Sequence, residues 1–154
     1  MDEIDRKICE IVQRDGRAST AAIAKAAGVP TSTANDRLRR LAANGTIQGW
    51  HAALDPHLVG TGLAGFVLID MGYDGEAEAV EVLCARPEVM ELHHISGAHS
   101  YLLKLRMQDM EAVQDFLAEV VKPLVAVHRT ETIFAMKTHK ETAALHVALE
   151  VDGA

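Results

Sequence analysis

Residues 19–45 read STAAIAKAAGVPTSTANDRLRRLAANG, and this stretch decides the fold of the N-terminal third. Ser19 is a strong N-cap and opens a helix with Ile23 and Ala27 on its buried side. Ala21, Ala22, Ala24, Ala26 and Ala27 keep that helix slim, so a neighbouring helix can approach closely. Gly28 closes it, as a C-terminal glycine should. A further helix starts near Thr31 or Ser32, with Ala34, Leu38 and Leu41 inward, and ends at Asn44-Gly45. A helix ending in Gly, a very short turn and then a polar helix is the helix-turn-helix pattern. The outward residues of the last helix are Ser32, Thr33, Asn35, Asp36, Arg39 and Arg40, with Arg37 on the flank. These are hydrogen-bonding and cationic side chains on a rod that a DNA major groove admits. Polar helix faces are common on any surface; the glycine turn and the excess of Arg over acids turn this one towards DNA.

Upstream, Ile4, Ile8, Ile11 and Val12 recur at helical spacing and run into the turn signal Asp15-Gly16-Arg17. Residues 1–50 therefore form a three-helix DNA-binding domain. Charge supports the division. Residues 1–50 hold eight Lys/Arg and six Asp/Glu, whereas residues 51–154 hold seven and sixteen, within a total of −7. An acidic protein does not bind nucleic acid over its whole surface, but a locally basic third leaves room for one such module.

Composition excludes other classes. With 154 residues and 49% apolar content the chain can bury a core. The apolar stretch from Leu63 to Ile69 is too short to span a bilayer, and the acidic start MDEIDRK is unlike a signal peptide. The expectation is a soluble, cytoplasmic protein without membrane association. Cys9 and Cys84 make neither a disulfide framework nor a zinc quartet.

Residues 51–62 read as a hinge. Thr46 to Ala53 has the pattern of a strand, and Asp55-Pro56 and Gly60-Thr61-Gly62 then break regular structure. Beyond the break the period changes. Strands are expected at Ala64 to Met71, Val89 to Ile95, Tyr101 to Met107 and Val127 to Lys137. Helices are expected at Glu76 to Ala85, and from an Asp109 cap through Met110, Val113, Leu117, Val120 and Val121. The order β-α-β-β-α-β is that of a ferredoxin-like sandwich, assigned to residues 63–154. Its two helices cover one sheet face; a second copy is the simplest cover for the other. The tail from His139 to Ala154 is long enough to add a further strand.

Two other classes compete with this reading. The first is an enzyme of ferredoxin-like fold, but no nucleophile elbow, phosphate-binding Gly loop or paired-carboxylate motif is present. The second is an oligomeric small-molecule sensor with little DNA binding, which the N-terminal helices disfavour. His93, His94 and His99 invite a metal reading. Adjacent strand residues point to opposite faces, however, so His93 and His94 cannot chelate one ion. No catalytic residue, metal site or cofactor is assigned.

Several runs in order resemble the Lrp/AsnC ("feast/famine") family of transcriptional regulators. IDRKICEIVQRDGR is similar to the family's opening helix. IAKAAGVPTSTANDRLRRLAANGTI resembles its helix-turn-helix, with Arg37, Arg40, Leu41, Gly45 and Ile47 at the usual spacing. LDPHLVG resembles its hinge, ELHHISGAHSYLLKLRMQDMEAVQDFL the core of its effector domain, and KTHKETAAL its C-terminal strand. The resemblance implies an α+β protein, with a winged helix-turn-helix followed by a ferredoxin-like (RAM-type) domain. It implies double-stranded DNA as partner and a homodimer building to a tetramer or octamer. It also implies an amino acid or related effector, such as a 2-oxo acid, bound at a subunit interface.

The implied effector residues are Gly97, Ala98, His99 and Ser100, Met110, and Thr132, Ile133, Phe134 and Ala135. Read from the residues alone, Gly97 equally fits a plain hairpin turn, and Met110, Ile133 and Phe134 equally fit the core. Two positions depart from the family pattern. Pro30 stands where a capping Ser is usual, which leaves the cap to Thr31 or Ser32. Ser100 stands where an Asp usually follows Gly-x-x, so the loop lacks the carboxylate that pairs with an α-ammonium.

Overall fold

In the computed structural model, which describes residues 1–147, the first helix, α1, spans Glu3–Arg14. Asp2 caps it by accepting from the Asp5 N–H at 2.9 Å. Its apolar stripe buries Ile8, Cys9 and Val12. Helix α2, Thr20–Ala27, is capped as expected: the Ser19 hydroxyl accepts from Ala22 N–H at 3.2 Å. It ends at Gly28 in the left-handed conformation, with the Val29 N–H reaching back to the Ala24 carbonyl at 3.0 Å. That six-residue closure needs a positive φ, which glycine adopts without strain.

Helix α3 spans Thr31–Ala43. Pro30 itself occupies the cap position and no side chain caps the helix, so neither Thr31 nor Ser32 takes over that task. Proline has φ preset for a helix entry and no N–H to satisfy, which makes the substitution sterically free. Ala34 and Leu41 are fully inside and Leu38 is half-buried. Ile8, Cys9, Val12, Ile23, Ala27 and Leu41 form one core, with Ile47 and Val147 packed against it.

Two sequence expectations fail around this unit. Residues 46–53 form no strand, so among the described residues the helix-turn-helix carries no wing. A strand needs a hydrogen-bonding neighbour, and residues 48–53 are exposed, with none paired to them. The run KTHKETAAL likewise forms no strand. Instead the backbone N–H and C=O of Leu145 are both held by the Gln13 side chain, at 2.6 and 3.1 Å. By packing, Met1–Ala53 forms one unit together with residues 141–147, and Leu54–Lys140 forms the other. The described part of the tail, expected with the effector domain, thus groups with the helices. Residues 148–154, the rest of the tail read as a further strand, lie outside the described residues.

The second unit has four antiparallel strands in the order β2-β3-β1-β4. They are β1 (Leu63–Met71), β2 (Val89–His94), β3 (Tyr101–Met107) and β4 (Val127–Phe134). Helix α4 (Glu76–Cys84) follows β1 and α5 (Met110–Phe116) follows β3. Asp109 caps α5, accepting from Ala112 N–H at 2.8 Å. The expected single helix then loosens into a π-helical turn, Leu117–Val121, which keeps Val121 buried. Strand β4 stops at Phe134, three residues before the expected Lys137. The Ala135 N–H still reaches Ala64 O at 3.0 Å, but β1 begins at Leu63 and offers nothing further to pair with.

Val67, Ile69, Leu83, Leu103, Leu105, Val113 and Val121 fill the core between sheet and helices. Each contributes roughly 1.5–3 kcal/mol of burial. The alternate residues of the strands face away from the helices. Paired across that open face are His93, Leu102, Leu68 and Glu131 in one row, and Glu91, Lys104, Phe66 and Ile133 in the next. An apolar centre is thus flanked by charge.

Candidate functional sites

The first candidate is the outer face of α3. Ser32, Asn35, Asp36 and Arg39 are exposed, and Thr33 is half-buried. Arg39 and Asp36 have no ion-pair partner among the described residues. The helix starts without a side-chain cap and without an acid in its first turn. Among the described residues no side-chain cap or first-turn acid compensates its leading N–H groups and positive dipole end.

Arg37 and Arg40 behave differently from Arg39. Arg37 Nη1 donates to Asp2 Oδ2 and, at 3.0 Å, to Asp5 Oδ1. Arg40 Nη2 donates to Asp5 Oδ2 at 2.6 Å. Asp5 is 3% exposed. The hydrogen bond from Arg37 is the main cause that holds the Asp2 carboxyl down at about 2, and the bonds to Asp2 and Asp5 push Arg37 up in return. The sequence reading grouped all three arginines as one DNA-facing set; the structure ties two of them to α1. Asp5 was missed, although a signal existed. It lies three, four and seven residues before Ile8, Cys9 and Val12, making it the acidic member of an otherwise apolar stripe.

The second candidate is the effector set, and the structure divides it. Gly97 turns the β2–β3 hairpin at a positive φ of 123° with open space where a Cβ would stand. Behind it, Ser100 N–H donates to Ile69 O at 3.1 Å. The Ser100 hydroxyl accepts from Met71 N–H at 3.2 Å and donates to Met71 O at 3.5 Å. That hydroxyl is occupied in fastening the hairpin to β1, so it does not stand open to a ligand. The His99 ring lies between carboxylates, with Nδ1 3.0 Å from Asp70 Oδ1 and Nε2 3.8 Å from Glu131 Oε2. These acids supply, from β1 and β4, negative charge that position 100 lacks.

Residues Thr132 to Ala135 pair with the opposite end of β1, Val67 back to Ala64. Thr132 lies nearest the Gly97–Ser100 loop, opposite Val67 and next to Glu131. Ala64 and Asp70, however, are six strand steps apart, about 20 Å at 3.3 Å each, so Ala135 does not share a site with that loop within one chain. Nor do Met110, Ile133 and Phe134 share a wall. Phe134 packs into the core, Ile133 is 47% exposed on the open face, and Met110 is 55% exposed at the start of α5. Strand alternation separates Ile133 from Phe134. The same alternation separates the histidines. His93 pairs with Leu102 on the open face and lies 3.3 Å from Glu91, while His94 stacks on Tyr101 with ring centroids 4.8 Å apart. Among the described residues no three His, Cys, Asp or Glu side chains converge as metal ligands.

A three-helix unit with a glycine-turned, polar third helix, followed by a ferredoxin-like sheet, defines a DNA-binding regulator with an appended ligand-binding domain. Residues 1–42 match the AsnC-type helix-turn-helix domain and residues 65–145 the Lrp/AsnC ligand binding domain. The chain belongs to the Lrp/AsnC family of transcriptional regulators. It is 33% identical over 147 residues to the HTH-type transcriptional regulator FL11 of Pyrococcus horikoshii, covering 96% of this chain and 97% of that one. It is 36% identical over 149 residues to the leucine-responsive regulatory protein of Salmonella typhimurium, covering 94% and 90%. A transcriptional regulator of Neisseria meningitidis, solved as an L-Met complex, superposes with a TM-score of 0.89 at 25% identity, covering 95% and 96%. Among the described residues no helix is long and apolar enough to cross a membrane.

Proposed function

We propose that α3 reads duplex DNA through Ser32, Thr33, Asn35, Asp36 and Arg39, while Arg37 and Arg40 fix the helix to α1. The observation that carries this is the exposed polar face of α3 with one unpaired arginine, opposite the buried Ala34 and Leu41. Asn35 and Arg39 are the residue types that bond adenine and guanine edges in pairs, and the uncapped start of α3 suits a phosphate. The sheet unit pairs through its open face with a second copy, covering Phe66, Leu68 and Leu102. The effector is an amino acid held between copies. The distance of Ala135 from the Gly97–Ser100 loop within one chain supports this, because a second subunit can bring such positions together. The L-Met complex of the similar Neisseria regulator supports the ligand class. This is a binding function, exercised in the cytoplasm, and it includes no catalytic step.

The test is a DNA titration of the parent and Arg39→Ala, each with and without L-Met. The reading requires the parent to bind duplex DNA and Arg39→Ala to bind less tightly with its thermal melt unchanged. Equal binding by both at two salt concentrations would exclude α3 as the reading element. Calorimetric titration with L-Met and other amino acids, at protein concentrations spanning dissociation of the assembly, tests the shared site. A stoichiometry independent of assembly would exclude it.

A further inference from the structure

The four charges between α1 and α3 do more than hold two helices together. Arg37 and Arg40 meet Asp2 and Asp5, so two cations are cancelled by two anions. With those two neutralised, the charge left on α3 is Arg39 against Asp36, which is close to zero. A reading helix that is nearly neutral draws little of its affinity from phosphate, and its hydrogen-bonding side chains decide where it binds. Asp5 is the centre of this arrangement. It is buried, it accepts from both arginines through its two oxygens, and its own N–H is held by the Asp2 cap. Arg40 remains 57% exposed despite that bond, on the edge of the reading face.

We propose that Asp5 is a positioning residue for DNA selectivity: by holding Arg37 and Arg40 against α1, it keeps their charge away from the phosphate backbone. It touches no DNA itself and acts through the two arginines. This inference rests on the α3 reading above and extends it to what limits non-specific binding. An Asn at position 5 has nearly the same shape and retains one acceptor, but leaves two guanidinium groups facing the single carboxylate of Asp2.

The experiment measures the full-length protein on two duplexes across a series of salt concentrations. One is heterogeneous genomic DNA; the other is the best site recovered by selection from a random library. Asp5→Asn should bind the heterogeneous DNA about tenfold more tightly at low salt. Its plot of log affinity against log salt should steepen by about one to two, near 0.9 for each new phosphate contact. Its preference for the selected site should fall. Adding Arg37→Gln to Asp5→Asn should bring the slope back by about one. A merely structural Asp5 would give weaker binding to both duplexes with an unchanged slope, and that result overturns the proposal.

Where Asp5→Asn fails to fold, Arg37→Gln and Arg40→Gln in the parent serve. With both arginines held by Asp5 away from the phosphates, neither change should alter the slope, and a slope flattened by about one in either variant overturns the proposal. Failure of the α3 reading shows separately, as an Arg39→Ala variant that binds like the parent.

Discussion

The helical unit and the sheet unit present their candidate sites in opposite ways. On α3 the exposed residues of the reading face lie on one rigid element, fixed by one turn geometry and one buried stripe. On the sheet the candidates lie at two ends of β1, and residues adjacent in sequence face opposite sides. A helix gathers a site from neighbours in sequence. A sheet gathers it from residues far apart in sequence, and here the set spreads along the length of β1. Charge is paired inside each unit: Arg37 and Arg40 meet Asp5, and on the open sheet face Lys104 meets Glu91 at 2.7 Å beside an apolar centre of Phe66, Leu68 and Leu102.

The contrast can be broken by experiment. The largest effect should come from the sheet core. Leu103 is fully buried, so Leu103→Ala should cost about 2–5 kcal/mol in urea unfolding, while Leu102→Ala on the open face should cost far less in a dilute sample. Similar losses for both at low concentration would mean that the open face is covered within one chain.

Next comes Arg39→Ala, which should flatten the salt dependence of DNA binding by roughly one unit if the contact is to phosphate. If the contact is to a base, sequence preference should instead relax by about 1–3 kcal/mol. A smaller change is expected at the helix caps. Ser19→Ala removes the bond to Ala22 N–H and should destabilise by about 0.5–2 kcal/mol, whereas Pro30→Ser should add a cap to α3 and stabilise by a similar or smaller amount. A thermal melt in which both substitutions destabilise would mean that Pro30 contributes more through its fixed φ than a side-chain cap can return.

The smallest effect concerns acid. The carboxyl of Asp2 titrates at about 2 in the folded protein against 3.8 ordinarily, so its contribution is complete above pH 3.8 and is lost as pH falls towards 2. Asp2→Asn behaves like the protonated carboxyl, so it should be less stable than the parent at neutral pH and the two should converge as pH falls towards 2. Denaturation midpoints of both proteins at pH 2, 3, 4 and 7 check this, and parallel curves would mean that the pair with Arg37 has no weight in solution.

The sequence by itself determined the helix-turn-helix, because a capping Ser19, a left-handed Gly28 and the apolar spacing of Ala34, Leu38 and Leu41 are local features that act within a few residues. It determined the β-α-β-β-α-β order too, since alternation and helical period are legible in each segment without knowledge of its neighbours. Where an element depends on a partner, the reading failed. Residues 46–53, expected as a strand from their pattern, and 137–145, expected as one from the family resemblance, have no neighbouring strand to bond among the described residues, and β4 stops where β1 ceases to face it. Tertiary structure alone decided the roles of the arginines. Spacing places Arg37 on the flank, but nothing in DRLRRL separates Arg40 from Arg39; Asp5, more than thirty residues earlier in the chain, does so by lying buried beneath Arg37 and Arg40. It also decided the state of Ser100, whose hydroxyl is drawn to the Met71 backbone across the sheet. Local propensity acts over one turn or one strand. The partner of a charge or a hydroxyl is set by which elements pack together, and that is known only when the chain has folded.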